Sequence, residues 1–216
     1  CRPSVSSGNQ QIRRSVPIEG CRSVTETVFA CFDVETTRLD PSVGRVIEIA
    51  VVRIDDQGRP AGEWTTLIDP ATADLGRTDI HGIQVPWLAE APVFLEIAGD
   101  LVDFLSGCVP VAHNADFDRG FLCAEWDRAG LGPLNIDAVD TLRLAKGLGL
   151  PGRLGELTGA LGIPLENAHT ALGDSRALAR VLVKLIGRLD SPFPLPRFDP
   201  PLLSPPTSGR VAHRPV

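Results

Sequence analysis

The chain has 216 residues, with 27 acidic side chains against 21 Lys and Arg and a formal net charge of -6. That length suits one domain with tails and can bury a substantial core, and the acidic balance excludes a protein that coats duplex DNA, which needs clustered Lys and Arg to meet phosphates. No apolar run approaches the ~20 residues that span a bilayer, and a basic-then-apolar secretion layout is lacking at the N-terminus, so the reading is a soluble, cytoplasmic protein with no membrane partner.

In chain order, residues 1–24 have little apolar periodicity and several Ser, Gly and Arg, which predicts a disordered leader. "TVFACFD" (27–33), "RVIEIAVVRID" (45–55) and "RPAGEWTTLID" (59–69) read as strands, with "DDQG" a hairpin turn between the last two. Connections this short require antiparallel neighbours. The period then changes. "APVFLEIAGDLVDFLSG" predicts a helix, "CVPVAH" a short strand, and "ADFDRGFLCAEWDRAG" a helix ending at Gly130. "LNIDAVD" is a fifth strand candidate, followed by helical stretches near 140–148 and 153–162 and then by "TALGDSRALARVLVKLIGRL". Three meandering strands followed by β/α alternation imply an α/β fold, a mixed five-stranded sheet flanked by helices. Residues from 191 onward are dense in Pro and predict an extended, untethered tail. The expected organisation is a leader at 1–24, one domain at 25–190 and a tail at 191–216.

Five cysteines, none paired at zinc or redox spacing, fit a reduced cytosol, with Cys31, Cys108 and Cys123 read as small buried apolar residues. Methionine is absent and residue 1 is Cys, which leaves the true N-terminus open.

Three acidic clusters carry the chemistry. In "FDVETT" side chains alternate, so Asp33 and Glu35 share one side of an extended chain while Val34 points away. Two like charges there are costly unless a cation sits between them. In "HNADFDRGFL" (113–122), Asp118 falls on the side of Phe121 and Leu122, whereas Asp116 lies near the helix start and reads as structural. In the final helix the stripe Ala171, Asp174, Leu178, Val181 and Leu185 gives Asp174 a core position, where an acid needs a partner. An ideal helix would turn His169 about 140° away from Asp174, which places His169 on the loop entering the helix instead. Carboxylates without Cys or several His select Mg²⁺ or Mn²⁺ over zinc. A pair of such ions would stabilise the attacking and leaving oxygens of a displacement at phosphorus.

"FDVETT", "HNADFDRGFL" and "HTALGD" resemble, in order and spacing, the three motifs of the DnaQ-like 3′–5′ exonucleases of the DEDDh type, the group that contains the proofreading epsilon subunit of bacterial DNA polymerase III. The resemblance extends from about Thr27 to Ile186 and includes "DIHGI" (79–83) and "VDTL" (139–142). It implies an RNase H-like fold, with Asp33, Glu35, Asp118 and Asp174 as ligands to two divalent metals and His169 as the general base. It also implies that the backbone around Thr36 and Thr37 contacts the 3′-terminal nucleotide and that His81, His113 and Asn114 line the site, each with structural hydrogen bonding as the alternative. The implied substrate is a nucleic-acid 3′ end, single-stranded DNA favoured over RNA, delivered by a polymerase or other protein partner. Arg38 stands where many members have Gly, and Glu48 fits the family pattern with structural pairing as its expected role. Two competing readings are a haloacid dehalogenase-type phosphatase, disfavoured because Glu35 stands where a second Asp would and Leu178 near where a further metal-binding acid would, and a non-catalytic end-binding module, which would have lost a ligand.

Overall fold

The computed structural model describes residues 27–215. The disordered leader expected at 1–24 lies outside the described residues, as do Cys1 and Cys21.

Five strands form one sheet in the order β3-β2-β1-β4-β5. β1 (Val28–Thr36), β2 (Val46–Asp55) and β3 (Pro60–Leu67) are antiparallel neighbours, and β4 (Val109–Ala112) and β5 (Val139–Asp140) add in parallel on the other side of β1. β1 does not stop at Asp33 as its apolar run suggests. It continues to Thr36, because β2 keeps pairing with it past Glu35 opposite Glu48, where a bulge shifts the register. The fifth strand shrinks to Val139 and Asp140, since "LNIDA" finds no partner strand.

Seven helices are described: α1 (Thr78–His81), α2 (Val85–Leu88), α3 (Phe94–Leu105), α4 (Ala115–Arg128), α5 (Thr141–Gly147), α6 (Leu154–Leu161) and α7 (Ala171–Ile186). α1 and α2 are single turns and too short to leave a periodic signature in the sequence.

The alternation of β1 sorts its side chains between two cores. Ala30, Phe32 and Val34 pack with Ile97 and Leu101 of α3 and with Phe121, Leu122 and Trp126 of α4. Phe29 and Cys31 face the other way, against Leu178, Ala179 and Leu182 of α7. Asp33 and Glu35 continue this second face towards the first turn of α7. Cys31 and Cys108 are buried free thiols, while Cys123 is only partly buried. No described helix is long and apolar enough to cross a membrane.

The Pro-rich segment differs from the expectation of an untethered tail. It forms no helix or strand, as its missing donors require, yet it is held to the domain. Phe198 is 1% exposed within the α3/α4 core, and its backbone N–H donates to the Cys108 carbonyl at 3.0 Å. Further on, the Asp100 carboxylate accepts from the backbone N–H groups of Ser208 and Gly209 and from the Ser208 hydroxyl. Apolar and polar side chains between the prolines thus supply the anchors that the prolines cannot.

Candidate metal centre

The site forms at the carboxyl end of β1, where the sheet changes from antiparallel to parallel neighbours. Clefts at such switch points are the usual ligand sites of open α/β sheets. Asp33 and Glu35 project from β1 and meet Asp174 from the first turns of α7. One carboxylate oxygen of each lies within 4.8 Å of the others, and all three residues are partly buried. Among the described residues, no ion pair reaches Asp33, Glu35, Asp118 or Asp174.

Asp118 stands beside this trio rather than in it. It is 3% exposed, and its Oδ1 accepts from the Val34 N–H at 3.1 Å. α4 therefore docks against the strand residue that lies between the two β1 acids. Asp116, two residues earlier on α4, is exposed and pairs with Arg143 at 2.7 Å and Arg119 at 3.3 Å.

Unbalanced negative charge shows in the proton affinities. Burial raises the Asp33 carboxyl well above its ordinary value, and the carboxylates of Asp118, Glu35 and Asp174 add to the rise. Glu35 is pushed up to about 7, first by burial and then by Glu48 and Asp174. Asp118 is pushed up to about 8 by burial, against the opposing pull of the Val34 N–H. Asp174 is raised by burial, and its hydrogen bond from the His169 backbone works the other way. Crowded, desolvated carboxylates outside any ion pair are a donor set that a hard divalent cation satisfies, so the residues fit such an ion.

His169 lies on the loop before α7, with Thr170 as N-cap accepting from the Gly173 N–H. Its ring is exposed, its φ is +62°, and its backbone N–H donates to Asp174 Oδ2 at 3.3 Å. Gly173 makes this turn possible: a Cβ there would sit 2.3 Å from the Asn167 carbonyl oxygen.

The residues expected to line the site are mostly engaged in structural bonds. His81 is buried. Its Nδ1 accepts from the Ile83 N–H, so its Nε2 donates to the Leu75 carbonyl, and burial lowers its proton affinity. The two ring nitrogens of His113 bond Thr141 Oγ1 and the Gly152 carbonyl. Asn114 has φ +66°, and its backbone N–H donates to Asp140 Oδ1 while its side chain stays exposed. The Thr37 N–H donates to the Arg45 carbonyl and the Thr37 hydroxyl accepts from the Arg45 N–H. The Thr36 hydroxyl donates to the Arg38 carbonyl. Arg38 itself turns away to pair with Asp74. The loop that follows passes so close that a Cβ on Gly76, φ +72°, would lie 1.8 Å from the Thr37 carbonyl oxygen.

Glu48 is paired structurally, as expected. It takes a bidentate bond from Arg214 at 2.8 and 2.7 Å and accepts from the Ala171 N–H at 2.9 Å. Sequence reasoning missed Arg214, and it missed Glu125, which is 1% exposed and binds Arg45 through two oxygens at 2.7 and 3.0 Å. The spacing of Glu125, two turns beyond Asp118 on the apolar side of α4, was the available signal.

Residues 30–182 match the family model RNase T, described as exonuclease. A DNA polymerase III subunit epsilon of Treponema pallidum is 36% identical over 167 residues, covering 73% of this chain and 76% of that protein. A DNA polymerase III subunit epsilon-like protein of Rhodobacter capsulatus is 39% identical over 171 residues, covering 74% of this chain but only 24% of its own length. The nuclease domain of 3′hExo, described as a DEDDh family member bound to rAMP, superposes with TM-score 0.66 at 16% identity, covering 76% of this chain and 94% of that one. The chain therefore spans most of one of these relatives and about a quarter of another.

Proposed function

The chain belongs to the RNase T exonuclease family, and from that premise we propose that it removes nucleotides stepwise from the 3′ end of single-stranded or frayed nucleic acid. The observation that carries this reading is the convergence of Asp33, Glu35 and Asp174 within 4.8 Å, with carboxyls that stay raised even though the nearby Arg214 charge lowers those of Glu35 and Asp174. Asp33, Glu35, Asp174 and the adjacent Asp118 would hold two Mg²⁺ or Mn²⁺ ions. When bound, these ions supply the positive charge that stabilises the attacking and leaving oxygens at phosphorus. His169, with its ring exposed on a loop fixed to Asp174 through the backbone, accepts the proton of the attacking water. Asn114 and the backbone at Thr36 contact the terminal nucleotide, while Thr37, buried and with its N–H donating to the Arg45 carbonyl, holds the loop behind them. His81 and His113, with both ring nitrogens engaged internally, shape the walls instead.

DNA is the favoured substrate, on the strength of relatives named as polymerase III epsilon subunits. With a net charge of -6, phosphate attraction is weak, and a polymerase partner delivers the strand end in proofreading or repair. The free thiols at Cys31, Cys108 and Cys123 suit a reducing cytoplasm. RNA end trimming is the second reading, motivated by the likeness to a nuclease described with bound rAMP. The test is digestion of matched 5′-labelled DNA and RNA oligonucleotides with paired, mismatched and unpaired 3′ termini. The expected result is a metal-dependent ladder on unpaired and mismatched DNA that outpaces RNA. Faster RNA laddering would favour the second reading, and no ladder with either ion would overturn both.

A further inference from the structure

The tail crosses the molecule and ends its described course beside the acidic trio. Ala212 closes on the end of β3, accepting from the Leu67 N–H at 2.7 Å and donating to Thr66 Oγ1 at 2.9 Å. Two residues on, the Arg214 guanidinium reaches three separate elements. Nε and Nη2 donate to Glu48 on β2, Nη1 donates to the His81 carbonyl on α1 at 2.6 Å, and Nη2 also donates to the His169 carbonyl at 3.2 Å. Glu48, opposite Glu35 in the sheet, in turn holds the Ala171 N–H at the start of α7.

His169 needs such restraint. A non-glycine residue at φ +62° is in a sparsely populated conformation that persists only when its surroundings fix it. Its N–H is fixed by Asp174 and its carbonyl by Arg214. The planar fork of Arg can serve Glu48 and both carbonyls at once, a geometry that the single ammonium of Lys does not reproduce.

We infer that Arg214 of the Pro-rich tail is a positioning residue for the proposed reaction: by clamping Glu48 and the His169 carbonyl it sets the His169–Asp174 loop against Asp33 and Glu35. This rests on the exonuclease reading above. In the full chain, Arg214→Lys keeps the charge and a bond to Glu48 and serves as the folded variant, with Arg214→Ala beside it. The expected result is a fall in kcat of about tenfold for Arg214→Lys and up to about a hundredfold for Arg214→Ala, the scale seen when groups that orient metal ligands are removed. KM should stay near that of the unaltered chain, because the strand itself is not touched. Guanidinium ion added at low millimolar concentration should partly restore Arg214→Ala. Amide exchange in metal-free Arg214→Ala should quicken at residues 169–171 and stay unchanged in α4. Either variant turning over at the unaltered rate, or exchange at residues 169–171 as slow as in the unaltered chain, would overturn the inference. An unaltered chain that makes no ladder would instead sink the exonuclease reading, leaving the exchange result to decide the role of Arg214 in the loop.

Discussion

Acidic side chains gather cations differently in two places at the same end of the sheet, around the buried Glu125 and around a partly buried trio. On the α4 side, the Glu125 carboxylate accepts from Arg45 at 2.7 and 3.0 Å, from the Val46 N–H at 3.1 Å and from Arg128 at 3.3 Å. On the α7 side, Asp33, Glu35 and Asp174 crowd together without an ion pair among the described residues, and their carboxyls are pushed towards protonation although Arg214, bound to Glu48, partly offsets the rise at Glu35 and Asp174. Glu125 is the more deeply buried, and the two sides differ further in the cations supplied to them. The first group is complete within the chain and braces β2 against α4, whereas on the proposed reading the second takes its remaining positive charge from divalent cations.

The sharpest break in this comparison is to remove an acid of the open trio, or Asp118 beside it. Asp174→Asn and Asp118→Ala should each slow turnover on a single-stranded 3′ end by about a thousandfold or more, as loss of a group that stabilises reacting charge does, while far-ultraviolet circular dichroism stays unchanged. Retained turnover in Asp118→Ala would restrict the site to the β1 and α7 acids. In the closed group the loss should fall on stability instead. Glu125→Ala leaves Arg45 without its buried partner and should cost about 3–5 kcal/mol in urea unfolding, with turnover per folded molecule retained. A loss of turnover without a loss of stability would reverse the assignment.

A pH series of the metal-free chain sharpens the contrast further. Glu35 moves from an ordinary value of 4.5 to about 7, and Asp118 from 3.8 to about 8. Between those limits the folded state holds protons that the unfolded chain has released, so stability is greatest below the ordinary values and falls as pH rises through the folded ones. Melting temperature should therefore drop between about pH 4 and pH 8, and saturating Mn²⁺ should flatten the drop. A melting temperature that rises over this range would contradict the electrostatic account. The smallest effect belongs to Asp116, whose ion pairs are exposed. Asp116→Ala should change stability by no more than about 0.5 kcal/mol and leave turnover intact.

What was legible in the sequence was local. The alternation of "FDVETT" placed Asp33 and Glu35 on one face, and the 3.6-residue stripe of α7 placed Asp174 inward, because both patterns are written within a few residues of themselves. The distinction between Asp116 and Asp118 followed from the apolar side of α4 and matches their exposure. Pairings across long separations were not legible. Arg214 meets Glu48 over 166 residues and Arg45 meets Glu125 over 80, and no periodicity links such positions. The tail misled for a related reason: proline density forecasts the absence of ladders, but says nothing of a buried Phe198 or of an Asp100 that binds the backbone of Ser208 and Gly209. His81 and His113 could be placed near the site by motif, but only the fold shows that their nitrogens are already taken.

The most direct test of the open acidic trio is calorimetric titration of the full chain with Mn²⁺ in the absence of nucleic acid, set beside the double variant Glu35→Gln and Asp174→Asn. The account predicts saturable binding by the unaltered chain at neutral pH and its loss in the double variant. Equal binding by both chains, or none by either, would contradict it.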